Sequence, residues 1–268
     1  MDILEAMKKE MFRRKLSHCT IITYLFYVRK FLLFCPKDPR RFSKKDCRLF
    51  LERFMDKGVS GSSINVALNS LRFMMEEVLR KSMRLNIKYS KTPKSLPTCL
   101  TKSEMLRLIN TISNEKHRLI VSLLYGSGLR VSEVVKLKKK DIHLEEKIGW
   151  VRLGKGNKDR PFIIPVCLVN DLKDRIENAS SYLFKGRKTS HLSTRTVQVI
   201  VKRAAEKADI AKNVHPHTFR HSFSTHLLEM GNDVTVVQAL LGHNEARTTL
   251  TYLHMVNPKL ISVKSPLD

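Results

Sequence analysis

Acidic side chains are scarce in this sequence, with 25 Asp and Glu against 50 Lys and Arg in 268 residues and a formal net charge of +25. So lopsided a balance points away from cationic partners and toward an extended polyanion. Cysteine is scarce too. The five cysteines, Cys19, Cys35, Cys47, Cys99 and Cys167, form no CxxC pair and make an odd number, which excludes a disulfide framework and predicts reduced, intracellular thiols. No uninterrupted apolar stretch is long enough to span a bilayer, and Lys8, Lys9, Arg13, Arg14 and Lys15 interrupt the start where a leader would be apolar. A soluble, cytoplasmic protein without a membrane partner is therefore expected. The phosphate-loop pattern G-x-x-x-x-G-K-[ST] is missing, and His217-Thr218-Phe219-Arg220-His221 lacks the glutamate that a zinc-protease helix requires.

What is present is a globular balance, with 42% hydrophobic residues, carried by a basic chain. Residues 1–95 hold 22 Lys and Arg against 9 Asp and Glu, and the remainder holds 28 against 16, so the charge is not confined to a tail. A DNA duplex gripped from two sides fits this distribution. On charge alone a ribosomal or chromatin-type protein fits it equally well.

The first part reads as a helical bundle. Apolar residues recur at helical spacing through Ile21, Leu25, Val28 and Leu32, then Phe50 and Phe54, then Ile64, Ala67, Leu68, Leu71, Met75 and Leu79. Helix starts are marked by Ser17 or Thr20, by Ser43 with Asp46, and by Ser60 to Ser63. From Lys88 the pattern lapses into a polar stretch punctuated by Pro93 and Pro97, which places a linker at 89–100 between a domain at 1–88 and a second at 101–268. Thr101 with Glu104 opens the second domain as a capping box, and a helix over 116–125 stops at Gly126-Ser127-Gly128. Two β-prone runs, 148–153 and 160–166, flank a glycine-rich basic tip and predict a hairpin. Helical spacing resumes over 194–207, 217–229, 234–241 and 246–253, with Gly231 and Gly242 at stop positions. The fold class expected is mainly α with a small β-hairpin or sheet.

Several side chains in this second part suit phosphate chemistry. Arginine forks clamp phosphate oxygens, and a phenol can replace water as nucleophile. Each residue also has a plainer reading: His217 as a core or capping histidine, Lys155 as a solvated loop lysine, Arg130 as a surface partner of Glu133, and Tyr252 as an aromatic closing a core. Their joint order is what stands out. Gly128-Leu129-Arg130-Val131-Ser132-Glu133, Gly154-Lys155-Gly156-Asn157-Lys158, His217-x-x-Arg220-His221 and Leu241-Gly242-His243 with Tyr252 beyond it resemble the tyrosine recombinases of the phage integrase family. The look is of the Xer subgroup, including its archaeal members, and extends over nearly the whole chain.

That resemblance implies the site residues. Tyr252 would attack a scissile phosphate of double-stranded DNA and form a 3′-phosphotyrosyl link, with Arg130 and Arg220 stabilising the phosphorane, His217 as base, His243 bonded to phosphate and Lys155 as general acid. It implies no cofactor and no metal, a core-binding domain resembling a SAM-like helical bundle, and a tetramer on two DNA sites through the tail 254–268 docking in trans. Chromosome or plasmid dimer resolution and element integration would use the same site, with or without an accessory protein. Type IB topoisomerases share the chemistry and are the alternative enzyme, and a catalytically inactive DNA-binding protein is the alternative of another class. One position departs from the family pattern: Arg247 stands where a serine is commoner.

Overall fold

A computed structural model describes residues 2–81, 97–152, 159–186 and 190–242 of the chain. It falls into two compact units, Met1–Ser95 and Leu96–Asp268. Of the stretch read as a linker, residues 89–96 lie outside the described residues, as does the helix expected over 246–253.

The first unit is built from α1 (Ile3–Arg13), α2 (His18–Phe34), α3 (Lys44–Asp56) and α4 (Gly61–Phe73), the last passing into a π-helical turn at Met74–Val78. Its helices start where short polar side chains can serve backbone N–H groups that have no intrahelical partner. The Ser17 Oγ accepts from the Thr20 N–H at 3.1 Å. Ser43 and Asp46 form a reciprocal box, with the Ser43 N–H donating to Asp46 Oδ2 at 2.9 Å and the Asp46 N–H donating to Ser43 Oγ at 3.3 Å. The Lys37 ammonium, 2.6 Å from Asp46, together with Ser43 holds that carboxyl at about 2. The inward faces supply Met7, Met11, Phe31, Leu51, Leu68, Leu71 and Met74, all essentially fully buried. Phe31 meets Phe42 and Phe50 edge-on at centroid distances of 5.1 and 5.5 Å.

In the second unit α5 (Lys102–Asn110) opens on the Thr101–Glu104 box, and α6 (Glu115–Gly126) is capped by Asn114. The turn of helix α7 (Val131–Val134) leads to a sheet of β1 (Ile142–His143), β2 (Ile148–Val151) and β3 (Arg160–Ile163). The sheet is antiparallel in the order β1-β2-β3, with Ile142 opposite Gly149 and Val151 opposite Arg160. Four helices follow: α8 (Val169–Glu177), α9 (Thr194–Lys207), α10 (Pro216–Glu229) and α11 (Val234–Leu241). The mainly helical class with a small sheet is the one expected. Two elements were not. β1 is two residues long, too short to show alternation, and α8 buries only Leu172 among largely charged neighbours, so neither leaves a periodic signal. The β3 strand also ends earlier than 166, since Pro165 starts a 3-10 turn at Val166–Leu168.

Helix α6 is central, packing against α5, α9 and α10, with Ile120, Leu123 and Leu124 fully buried. The start of the unit is fastened to α10. The Leu100 N–H donates to Ser222 Oγ at 3.0 Å, while the Ser222 hydroxyl donates to the Thr218 carbonyl at 2.9 Å.

Candidate active site

The site begins where α6 ends. Gly128 takes a left-handed backbone, φ +60°, and a methyl group there would overlap the Phe223 ring, so only glycine fits both constraints. The turn sends Leu129 into the core and brings Arg130 back out, its side chain 19% exposed. Glu133 then fixes Arg130 twice. Its Oε2 accepts from the Arg130 N–H at 2.8 Å, and its Oε1 accepts from the Arg130 Nη1 at 2.7 Å. Glu133 is nearly buried, and a second guanidinium reaches it, Arg160 Nη2 at 2.6 Å from Oε2. Burial pushes the Glu133 carboxyl up, but the charges of Arg160 and Arg130 outweigh it and hold the group below the ordinary carboxylate value, so it is ionised.

Helix α10 carries the next residues. Pro216 occupies its first turn, where a missing N–H is harmless, and the His215 N–H donates to Thr218 Oγ1 at 3.2 Å. The helix is buried on most of its circumference, including Arg220 at 3% exposure. A buried guanidinium is tolerable only with partners. The Arg220 Nη1 donates to the Gly128 carbonyl at 2.6 Å, and its Nη2 donates to the Leu241 carbonyl. One side chain thereby ties the turn before Arg130 to the end of α11. Gly242 closes α11 in a left-handed conformation, φ +59°.

His217 reaches solvent, yet the protein mass around its ring, then the positive neighbours His215, Arg220 and Arg130, lower its pKa below the ordinary histidine value. His221 is pulled further, to about 4, by burial first and then by His217, His215 and Arg220. Neither ring favours a proton at neutral pH. A surface cavity of about 470 Å³ opens beside His217, with Val131, Arg195, Lys202, Lys212 and His215 among its walls. No group of three or more His, Cys, Asp or Glu able to hold a metal is found among the described residues.

Of the six residues singled out in the sequence, the structure brings Arg130, His217 and Arg220 into one neighbourhood. Lys155, His243 and Tyr252 lie outside the described residues. The strands on either side of Lys155 and the glycine before His243 are described, and both adjoin the arginines: Val151 pairs with Arg160, and Gly242 approaches Arg160. Arg160 itself escaped the sequence reading. Its signal was the strand alternation, because Arg160 shares the inward face of β3 with Phe162.

Residues 98–257 match the model of the phage integrase family, and residues 3–84 match that of the phage integrase N-terminal SAM-like domain. The chain is 40% identical over 243 residues to tyrosine recombinase XerA of Thermococcus kodakarensis, covering 87% of this chain and 83% of the relative. It is 36% identical over 266 residues to tyrosine recombinase XerA of Pyrococcus horikoshii, covering 97% and 91%. Among solved structures, the crystal structure of XerA recombinase is similar at TM-score 0.56 and 30% identity, with 97% of this chain and 95% of that one covered. A lambda integrase dimer bound to a COC′ core site shares the fold at TM-score 0.77 and 18% identity over 98% and 97% of the two chains. With both units matched and close relatives covered almost end to end, the chain belongs to the phage integrase family and is a Xer-like tyrosine recombinase, a site-specific enzyme that recombines DNA through a tyrosine nucleophile.

Proposed function

We propose that Tyr252 is the nucleophile, that Arg130 and Arg220 hold the scissile phosphate, and that His217, Lys155 and His243 serve proton transfer and phosphate binding around them. The observation that carries this reading is the shared neighbourhood of Arg130, Arg220 and His217, with both guanidinium groups tethered by protein acceptors. Such tethering matters because a phosphorane bears more charge on its non-bridging oxygens than the diester does. Fixed donors stabilise it selectively, without reorganising during the step. A phenol with an ordinary pKa of about 10 needs a base, and a histidine held neutral can accept its proton. When the tyrosine oxygen bonds to phosphorus the 5′-oxygen leaves, and Lys155 supplies the proton it needs. The product is a 3′-phosphotyrosyl link and a free 5′-hydroxyl, and attack by a hydroxyl on that link reverses the step without a cofactor.

The same reading assigns residues 1–88 to core binding, 89–100 to a linker and 101–268 to catalysis, with both basic halves on one DNA duplex. The tail 254–268 docks on a neighbouring protomer in a tetramer on two sites, and the enzyme works in the cytoplasm on dimer resolution or element integration. Deleting 257–268 should abolish synapsis and strand exchange; unchanged exchange would remove the tail from the assembly.

The test of the active site uses a suicide DNA duplex nicked beside the cleavage position, incubated without added metal. Wild type should give a covalent protein–DNA adduct on a denaturing gel and Tyr252→Phe none. Equal adduct from both proteins would overturn the assignment.

A further inference from the structure

The fold gives Arg160 three attachments, and each belongs to a different segment of the proposed site. Through Nη2 it bonds Glu133 Oε2 at 2.6 Å, the carboxylate that also holds Arg130 by its N–H and its Nη1. Through Nη1 it bonds the Leu240 carbonyl at 2.5 Å, in the last turn of α11 just ahead of Gly242-His243. Through its backbone it is the first residue of β3, opposite Val151, on the strand that follows Lys155 in the sequence. Its aliphatic stem also packs where Gly242 lacks a side chain, since a Cβ at Gly242 would stand 2.5 Å from Arg160 Cδ. The side chain is only 9% exposed and Glu133 only 5%.

Charge sets what this arrangement does. A lone Arg130–Glu133 pair would be neutral overall, and Glu133 would compete with a phosphate for the guanidinium. With Arg160 on the same carboxylate the trio keeps one net positive charge, so Arg130 is fixed in place without being neutralised. The last carbonyls of α11 carry the negative end of the helix dipole, where cationic donors are favourable. Arg160 takes the Leu240 carbonyl and Arg220 the Leu241 carbonyl, so two guanidinium groups cap that end side by side.

We infer that Arg160 is a positioning residue for the recombination reaction, acting through Glu133 on Arg130 while it registers strand β3 and the α11 terminus against that arginine. The inference rests on the assignment of Arg130 to the phosphate. Arg160 itself need not touch DNA.

The test is a double-mutant cycle on the single-turnover rate of adduct formation at saturating suicide substrate. It uses wild type, Arg160→Met, Arg130→Lys and the double variant, with the adduct yield giving the fraction of active enzyme. Arg160→Met should slow the rate constant about 10–100-fold with DNA affinity unchanged, and in the Arg130→Lys background it should cost less than about threefold, because its route is already broken. Equal losses in the two backgrounds would overturn the inference, as would a loss confined to the yield, which is how a merely structural role would appear. Should Arg160→Met fail to fold, Arg160→Lys keeps the buried charge but cannot bond Glu133 and Leu240 as a fork does. It should be slowed about tenfold with the same non-additivity, and a wild-type rate for it would contradict positioning by geometry. Failure of the reading beneath would look different, since Arg130→Lys alone would then leave the wild-type rate intact.

Discussion

The two units bury different chemistry. Among the described residues, the N-terminal unit hides an apolar core in which only Asp46 and Ser70 are polar, whereas the catalytic unit hides Ser127, Glu133, Asp141, Arg160, Thr218, Arg220, Ser222, Ser224, Thr225 and His226. Burying apolar surface stabilises a fold directly, at about 25 cal/mol per Å². Burying a guanidinium or carboxylate does not, because desolvation consumes most of what the ion pair returns. The polar interior of the catalytic unit is therefore better understood as fixing the positions of its own polar and charged groups than as a main source of its stability. The N-terminal unit is organised by packing, and the catalytic unit by packing around fixed charges.

If that contrast is right, mutations in the two interiors should damage different properties. Phe31, fully buried against Phe42 and Phe50, should behave as a pure packing residue. Phe31→Ala is expected to lower stability by about 3–5 kcal/mol in denaturant unfolding, while the rate constant of the folded fraction stays within about threefold of wild type. A parallel collapse of the rate constant would erase the contrast. Arg220→Lys should show the opposite balance, because a lysine cannot reach the Gly128 and Leu241 carbonyls and a phosphate together. The cleavage rate should fall about 10²–10³-fold, well beyond what partial unfolding explains, and a full rate in a folded Arg220→Lys protein would mean that the fork is dispensable.

Acid should sharpen the comparison further. His221 is held to about 4 in the folded protein, well below an ordinary histidine, so the unfolded chain binds more protons between those values. Stability from this group is therefore complete above about 6.5 and is lost as pH falls toward 4, by about 1–2 kcal/mol once solvent screening is allowed for. Equilibrium unfolding between pH 7 and 4.5 should show the slope, and His221→Asn should flatten it. An unchanged slope would place the acid sensitivity elsewhere. The smallest effect belongs to a cap in the packing unit: Ser43→Ala should remove about 1 kcal/mol from unfolding stability and leave cleavage untouched, and a measurable loss of cleavage would contradict the separation.

How much was legible in the sequence follows the range of each interaction. The boxes at Ser43–Asp46 and Thr101–Glu104 span three residues and are written in residue type, so the helices they open could be read directly. The hairpin over β2 and β3 was readable from two β-prone runs around glycines. For Arg160 the strand alternation could signal burial but not its role, because its partners Glu133 and Leu240 lie 27 and 80 positions away and nothing local announces them. The carbonyl tethers of Arg220 were equally hidden, at separations of 92 and 21. Gly128 and Gly242 could be recognised as stops, but not as the points where Phe223 and Arg160 pass close to the backbone. Local signals carried the scaffold; the charged interior depends on what the fold brings together.

The central claim is that the phosphate bond is made by Tyr252, and adduct mapping tests it most directly. Wild-type protein trapped on a suicide duplex would be digested with nuclease and trypsin, and the peptides read by mass spectrometry. Trypsin should release Thr248 to Lys259, which contains Tyr252 as its sole tyrosine. The account predicts that the residual nucleotide sits on that tyrosine. A nucleotide on any other residue would contradict it.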